Sequence, residues 1–339
     1  MGRAELDIQY GKNMSLLMPV HGDAPFLSAA IESVFESYDV NIDFVIILDR
    51  CTNNKFWETL KSCPKNIVVT VITSDTPGIV PALNLGIERA KNDLLARLDS
   101  DDIATPERFS AQIEIMNSDK NLICVGSQMA LIDENGIEYG HTNYPMNHDD
   151  IMKRMKYQNC IGHPSVMFQK NTVQMLGNYR QVLTGSEDYD LWLRLGQVGE
   201  LKNLPQRYTK YRKSKYQITN QHNPSIPIVE NASRIFTAMR GLNLPESLPK
   251  DQELLAKLNV QNISQLKTIK SSIAKELISA DFLSRAYRER TKKKSSAFSL
   301  IKVLYSLLLA GWFSPNLLLI FINGHYRFRS VKFGKRQRT

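Results

Sequence analysis

Leu94-Leu95-Ala96-Arg97-Leu98-Asp99-Ser100-Asp101-Asp102 is the stretch on which the fold turns. Its first five residues are a short apolar run with a single charge, and the next four carry three carboxylates. Such a run reads as a short strand, delivered straight into an acidic loop. Moving toward the N-terminus, Phe44-Val45-Ile46-Ile47-Leu48 is a second continuous apolar run, and it stops at Asp49. Before it, Ser15 to Val20 reads as a strand ending around Pro19 and His21-Gly22-Asp23. Phe26, Ala30, Ile31 and Val34 then fall at helical spacing between Pro25 and Ser37. Between the two runs lie a strand from Ile67 to Ile72, a turn at Pro77-Gly78 and a helix from about Val80 to Ala90. Strands and helices that alternate through short loops predict an α/β fold, a Rossmann-like and mostly parallel sheet flanked by helices. Ligands of such sheets bind outside the carboxyl ends of the strands, where Asp49 and Asp99 both fall.

Past Asp102 the rhythm breaks. Leu122 to Gly126 reads as a strand, Asp133-Glu134-Asn135-Gly136 as a hairpin turn, Ser165 to Phe168 as a strand and Glu187 to Leu195 as a helix. Residues 1–225 are expected to form the catalytic domain. Residues 226–290, polar, helical in period and broken at Pro245 and Pro249, are expected to form a small helical appendage. The last segment, 291–339, contains no Asp or Glu and ten Lys or Arg, so of the 43 basic residues 33 remain to face the 34 acidic ones in the rest of the chain. The net charge of +9 therefore belongs to the tail.

That location argues against a nucleic-acid partner, because the bases cluster beside an apolar segment while the body is near neutral. Ala297 to Ile322 is strongly apolar but interrupted by Lys302 and by Ser314-Pro315-Asn316. A single spanning helix needs about 20 uninterrupted apolar residues. With both flanks basic, a helical hairpin or an in-plane helix pair on an anionic inner leaflet fits better than one crossing. A buried helical hairpin or a dimer interface is the alternative. Cys51, Cys63, Cys124 and Cys160 include no C-x-x-C pair, suggest neither zinc nor a disulfide framework, and read as free thiols in a reducing compartment. With no apolar leader or myristoylation signal at the N-terminus, a cytoplasmic protein, peripheral or monotopic on the inner face of the cell membrane, is the expectation.

Two constellations carry chemistry. Alternate carboxylates at a strand end, as in Asp99-Ser100-Asp101-Asp102, can converge on Mg²⁺ or Mn²⁺ and leave coordination sites for phosphate oxygens. Acidic triplets are also common in solvated loops. In Gly185-Ser186-Glu187-Asp188-Tyr189-Asp190-Leu191-Trp192-Leu193-Arg194, a carboxylate at a helix start is rigidly held, as a general base must be. The same residue types are favoured at helix starts simply for capping and dipole reasons.

Taken together, these stretches resemble a known family. Leu16-Leu17-Met18-Pro19-Val20-His21, Ala82-Leu83-Asn84-Leu85-Gly86-Ile87, Ala96-Arg97-Leu98-Asp99-Ser100-Asp101-Asp102 and Glu187-Asp188-Tyr189-Asp190-Leu191-Trp192-Leu193-Arg194 resemble, in order and spacing, the motifs of family 2 glycosyltransferases of the GT-A fold. The match runs over roughly residues 13 to 213, and the polysaccharide-synthesising bacterial members are the nearest in character. The resemblance implies an inverting, metal-dependent transferase using a nucleotide-sugar donor and a saccharide or lipid-linked acceptor. Pro19, Val20 and His21 would line base and ribose, with Asp49 near the base. Asp99 would lie on the ribose or diphosphate side, Asp101 with Asp99 would serve the metal, and Asp188 would be the base with Glu187 supporting it. It also implies that Arg97 approaches the donor and that Arg212, in Tyr211-Arg212, stands where a late basic residue meets phosphate. The family usually carries a second acid after the second strand, where this chain has Asp49-Arg50-Cys51-Thr52; UDP is the first choice of nucleotide and GDP the second.

Trp192 and Leu195 read as core residues rather than a sugar platform. His163, beside Pro164, borders the acceptor cleft or is structural, and Cys51 has no evident base to activate it. A sugar nucleotidyltransferase would want a glycine-rich basic loop after the first strand, which Pro19-Val20-His21-Gly22-Asp23-Ala24 is not. A membrane-tethered nucleotide-sugar-binding protein with a degenerate site would have lost its acids.

Overall fold

The computed structural model describes residues 10–155 and 158–214. Of the two compact units into which the chain divides, the first holds the described residues, Gln158 apart. The expected appendage at 226–290 and basic apolar tail at 291–339 lie outside the described residues.

The first half follows the sequence closely: β1 (Asn13–His21), α1 (Leu27–Phe35), β2 (Asn41–Asp49), α2 (Phe56–Leu60), β3 (Ile67–Thr73), α3 (Ile79–Arg89) and β4 (Leu94–Arg97). These strands pair in parallel in the order β3-β2-β1-β4. The chain winds outward from β1 and then returns to its other side, which creates a topological switch point between β1 and β4. The runs of β1, β2 and β4 lack polar alternation because both faces are covered. Leu16, Met18, Phe44 and Ile46 pack with Ala30, Ile31 and Val34 of α1, while Leu17, Val45, Ile47 and Leu95 pack with Val80, Leu83 and Ile87 of α3. At Gly86 a Cβ would lie 3.0 Å from Ile47 Cδ1 and 3.2 Å from Leu17 Cδ2, so glycine lets α3 ride close to the sheet.

β1 runs through Pro19 rather than ending there, and the pairing explains why. Leu98 N–H donates to the Leu17 carbonyl, so alternate residues of β1, Pro19 included, turn their polar edge toward β4. Pairing with β4 covers only Ser15 to Leu17, so the missing N–H of Pro19 costs no ladder bond.

The second half comprises β5 (Ile103–Ala104), α4 (Arg108–Ser118), β6 (Leu122–Ile132), β7 (Glu138–His141), α5 (His148–Met155), β8 (Met167–Gln169), α6 (Lys170–Met175), α7 (Glu187–Leu195) and β9 (Glu200–Arg212). The sheet continues from β4 as β8-β6-β9-β5, with β7 paired to β6. β8 is antiparallel to both β4 and β6, and β9 is parallel to β6 but antiparallel to β5. The sheet is therefore parallel where the sequence shows β/α alternation and mixed where that rhythm breaks.

β6 extends past Gly126 because the polar Gln128 is satisfied inside the fold: its amide donates to the Tyr144 carbonyl at 2.8 Å, and its oxygen accepts from Thr142 and from Tyr144 N–H at 2.9 Å. The hairpin at Asp133–Gly136 forms as expected, with Gly136 at φ +82° and the Asp133 carboxylate accepting from Asn135 and Ile137 N–H. α7 has the expected bounds. Arg194 anchors it, donating to Asp190 at 2.7 Å and to the carbonyls of Leu176 and Asn178 at 2.8 Å. A buried guanidinium so fully engaged fixes the helix in place. Trp192 is buried against Phe168 and His163, the core role expected of it.

Candidate active site

Three strand or helix ends and one late arginine converge at the carboxyl edge of the parallel half. At the end of β2, Asp49 accepts from Gly78 N–H at 2.9 Å, His21 Nδ1–H at 3.0 Å and Arg50 Nε–H at 3.1 Å. Burial acts to raise its pKa, but the Gly78 N–H, Arg50 and His21 outweigh burial and hold the carboxyl below its ordinary range. Gly78 sits at φ +117°, a conformation open to glycine, and this aims its N–H at Asp49. His21 and Asp49 are register partners across β1 and β2. The side chains of Pro19 and Val20 are buried, Val20 in the core, so what they offer a ligand is main chain; the His21 ring is 54% exposed.

At the end of β4, Arg97 is buried and grips Asp99 with both terminal nitrogens, at 2.7 Å for Nη1. The ligand oxygens of Asp99, Asp101 and Asp102 all lie within 4.8 Å of one another. Asp102 is completely buried. Its Oδ1 accepts from Arg212 N–H at 2.8 Å, whereas its Oδ2 is buried without a hydrogen-bond partner. Burial, and then the charges of Asp99 and Asp101, push the Asp102 carboxyl far above its ordinary range. Three crowded carboxylates, one with an orphaned oxygen, form a donor set of hard oxygens that fits a divalent cation.

Behind this loop, Arg108 is fully buried and donates to the Arg97 carbonyl at 2.6 Å and to Gln112 at 3.2 Å. It holds the strand end in place from below. Arg212, at the end of β9, donates from Nε to the Asp101 carbonyl at 2.9 Å and from Nη1 to the carbonyls of Asp133 and Glu134 at 3.1 Å; its guanidinium stacks 4.3 Å from the Phe26 ring centroid. The late basic residue is thus a brace for the acidic loop.

At the start of α7, Glu187 accepts from Gly185 N–H at 2.5 Å. Asp188 accepts from Tyr189 N–H at 2.7 Å on Oδ1 and from the Asn159 amide at 2.8 Å on Oδ2. Burial, and then the neighbouring Glu187 charge, push the Asp188 carboxyl up to about 7, against the opposing pull of Tyr189 N–H, Arg97 and Asn159. Glu187 is raised by burial as well. The charge of Arg97 is felt by Asp99, Glu187 and Asp188 alike, so the two acidic clusters share one electrostatic neighbourhood. It also bears on His163, whose Nε2 meets the Tyr179 hydroxyl at 2.9 Å and whose pKa is driven well down by burial and then by Arg97. Its ring packs against those of Tyr179 and Trp192.

The residues singled out from sequence come together at one edge, although Pro19 and Val20 contribute no exposed side chain there. Asp102, Arg108 and Asn159 gave no separate signal: the first was hidden within the acidic triplet, and the contacts that tie the other two to the site, Arg108 to the Arg97 carbonyl and Asn159 to Asp188, span 11 and 29 positions.

The family model described as glycosyl transferase family 2 matches residues 15–173, from β1 through most of α6. The O-antigen biosynthesis glycosyltransferase WbnJ of Escherichia coli is 31% identical over 192 residues, 56% of this chain and 74% of that protein. The chain belongs to glycosyl transferase family 2. A second E. coli relative of this family 2 glycosyltransferase, UDP-Gal:alpha-D-GlcNAc-diphosphoundecaprenol beta-1,3-galactosyltransferase, is 27% identical over 183 residues, 53% of this chain and 66% of that one. Among solved structures, residues 1–349 of TarS from S. aureus in complex with UDP superpose with a TM-score of 0.51 at 11% identity, covering 80% of this chain and 83% of that one. At that identity the likeness establishes the shared GT-A fold. Among the described residues no helix is long and apolar enough to cross a membrane.

Proposed function

We propose that this family 2 enzyme is an inverting, metal-dependent glycosyltransferase. It moves a sugar from a nucleoside-diphosphate donor, UDP before GDP, to a hydroxyl of a saccharide or lipid-linked acceptor in surface-polysaccharide synthesis. The observation that carries this is Asp188: a carboxylate fixed at a helix start, pushed up to about 7, in the same electrostatic neighbourhood as the Asp99-Asp101-Asp102 cluster. A base poised near neutrality and a cation site for a departing diphosphate are the two parts such a transfer requires. The names of the two E. coli relatives, one for O-antigen biosynthesis and one for a UDP-galactose donor with a diphosphoundecaprenol-linked acceptor, favour the pathway, the nucleotide and the lipid-linked acceptor.

Asp101 and Asp102, with Asp99 beside them, are the residues that would hold Mn²⁺ or Mg²⁺, and such an ion supplies neutralisation of the charge growing on the leaving diphosphate. His21 and Asp49 border the base and ribose. Arg97, already paired to Asp99, orients that carboxylate toward the donor. Asp188 takes the proton of the acceptor hydroxyl as its oxygen forms the new bond to the anomeric carbon. The bond to the diphosphate breaks on the opposite face, its electron pair leaving with the nucleotide, so the configuration inverts. Glu187 keeps Asp188 basic enough to accept that proton. Covalent catalysis by the buried thiols is disfavoured, since burial drives Cys124 far up and Cys160 up to about 12. NMR of the product from UDP- and GDP-sugar panels is the test: an inverted anomeric centre from UDP-sugars is expected, and retention would overturn the mechanism.

We further propose that residues 1–225 are the catalytic domain, 226–290 a helical appendage and 291–339 an anchor to the anionic inner leaflet, on the basis of the ten bases and the interrupted apolar run in the tail. The intact chain should sediment with vesicles containing phosphatidylglycerol and a chain ending at residue 290 should not. Equal recovery of both in the supernatant would remove the membrane from the proposal.

A further inference from the structure

We infer that Asn159 is a positioning residue for the reaction: its side-chain amide fixes the plane of the Asp188 carboxylate and favours the ionised form that accepts the proton. This rests on Asp188 being the base. The orientation of the amide follows from its two bonds. Ile161 N–H lies 3.2 Å from Asn159 Oδ1, and a backbone N–H can be accepted only by the amide oxygen; the NH₂ group therefore faces Asp188 Oδ2, at 2.8 Å. The other oxygen, Oδ1, accepts Tyr189 N–H at 2.7 Å. One donor on each oxygen fixes the carboxylate plane and leaves each oxygen with lone-pair capacity for an incoming hydroxyl.

The segment carrying Asn159 is itself held. Asn203 of β9, buried, donates to the Cys160 carbonyl at 3.0 Å and to the Pro145 carbonyl at 2.8 Å. Asn159 thus sits on a rigid support.

An amide suits this position better than a charged group. The groups bearing on Asp188 are Glu187, of like charge, the Tyr179 hydroxyl and Arg97; on the far side of Arg97 stands Asp99, which already engages it. A further carboxylate would add to the repulsion, and a lysine would draw Asp188 into a fixed ion pair and weaken it as a base. Asparagine supplies a hydrogen bond to the ionised form without either charge, which opposes desolvation.

The test is the pH profile of kcat in Asn159→Asp, which retains an acceptor for Ile161 N–H while replacing the donor to Asp188 by a carboxylate. The acidic limb should move to higher pH by about one unit, a loss of about tenfold below neutrality that alkaline pH restores. The KM for the donor sugar nucleotide and the thermal midpoint should stay near those of the parent. Asn159→Ala should shift the limb in the same direction by less, and it reads the same limb should the Asp variant fold poorly. A uniform loss of kcat at every pH, with the limb unmoved in both variants, would reduce Asn159 to a structural residue and overturn the inference. Asp188→Asn is measured alongside. If that variant keeps full activity, the assignment of the base has failed, whereas an inactive Asp188→Asn with an unmoved limb in the Asn159 variants refutes only the role of Asn159.

Discussion

Asp188→Asn should lower kcat by about 10³-fold while leaving the KM for the donor within about twofold, since general-base catalysis contributes 10² to 10⁴ and this base touches the acceptor rather than the nucleotide. The substitution is nearly isosteric. The new amide oxygen can still accept from Asn159 or Tyr189, so the loss reads proton transfer rather than collapse of the helix start. In the parent enzyme kcat should rise with pH through about 7, because burial, and then Glu187, keep a proton on Asp188 below that value.

Stability should move in the opposite sense. In the unfolded chain Asp188 ionises near 3.8, and in the folded one near 7. Between those values the folded state keeps a proton that the unfolded state has released, so this group's contribution is fully present below about 3.8 and is lost as pH rises through 7. Asp188→Asn removes that titration, and its thermal midpoint at pH 8 should equal or exceed the parent's. Steady-state kinetics and thermal unfolding of the same preparation decide the matter: a variant that retains kcat removes Asp188 from the chemistry, and one that loses both kcat and stability implicates the fold instead.

The parallel half of the fold was legible because its signals are local. The runs in β1, β2 and β4 are continuous since both faces are buried, and each ends at a polar residue that caps its strand. β9 was invisible for the opposite physical reason. Its sequence Glu200-Leu201-Lys202-Asn203-Leu204-Pro205-Gln206-Arg207 alternates only briefly, contains a proline and exposes Pro205, Gln206 and Arg207, while its pairing with β6 shifts register twice beyond Ser127. What makes it a strand is its partner. α4 escaped notice as well: Arg108 and Gln112 occupy its buried face, polar residues that bond main-chain groups of β4, β6 and the segment before β8.

The site shows the same division. Asp49 and Asp99 could be picked out as acids at strand ends, whereas the roles of Asp101 and Asp188 came from the family resemblance, since acidic triplets and acids at helix starts are also ordinary loop and capping features. The work of Asn159 and Arg212 depends on partners 29 and 111 positions away, and no local periodicity encodes such distances. Arg212 is instructive. The family resemblance places it beside phosphate, and in the fold its Nε also holds the backbone of the acidic loop at the Asp101 carbonyl.

Asp101→Ala should abolish the part of nucleotide binding that depends on Mn²⁺, weakening it by at least about 100-fold, or about 2.7 kcal/mol, while leaving binding in EDTA unchanged. The effect is assigned to Asp101 because the family resemblance gives that position to the metal, and the three acids are held differently. Asp99 is engaged by both terminal nitrogens of Arg97, and Asp102 is buried with one oxygen bound to Arg212 N–H. Asp101 lies between them, its main-chain carbonyl fixed by Arg212 Nε at 2.9 Å and its carboxylate within 4.8 Å of both neighbours' ligand oxygens. The backbone that carries it is thereby preorganised by Arg212 before any ligand arrives. Calorimetry with UDP and with GDP, each with Mn²⁺ and with EDTA, separates the possibilities. Binding that strengthens with the cation in the parent and not in the variant assigns Asp101 to the cation; cation-dependent binding that survives in Asp101→Ala transfers that role to Asp99 and Asp102; and binding indifferent to the cation in both proteins would refute a metal at this site.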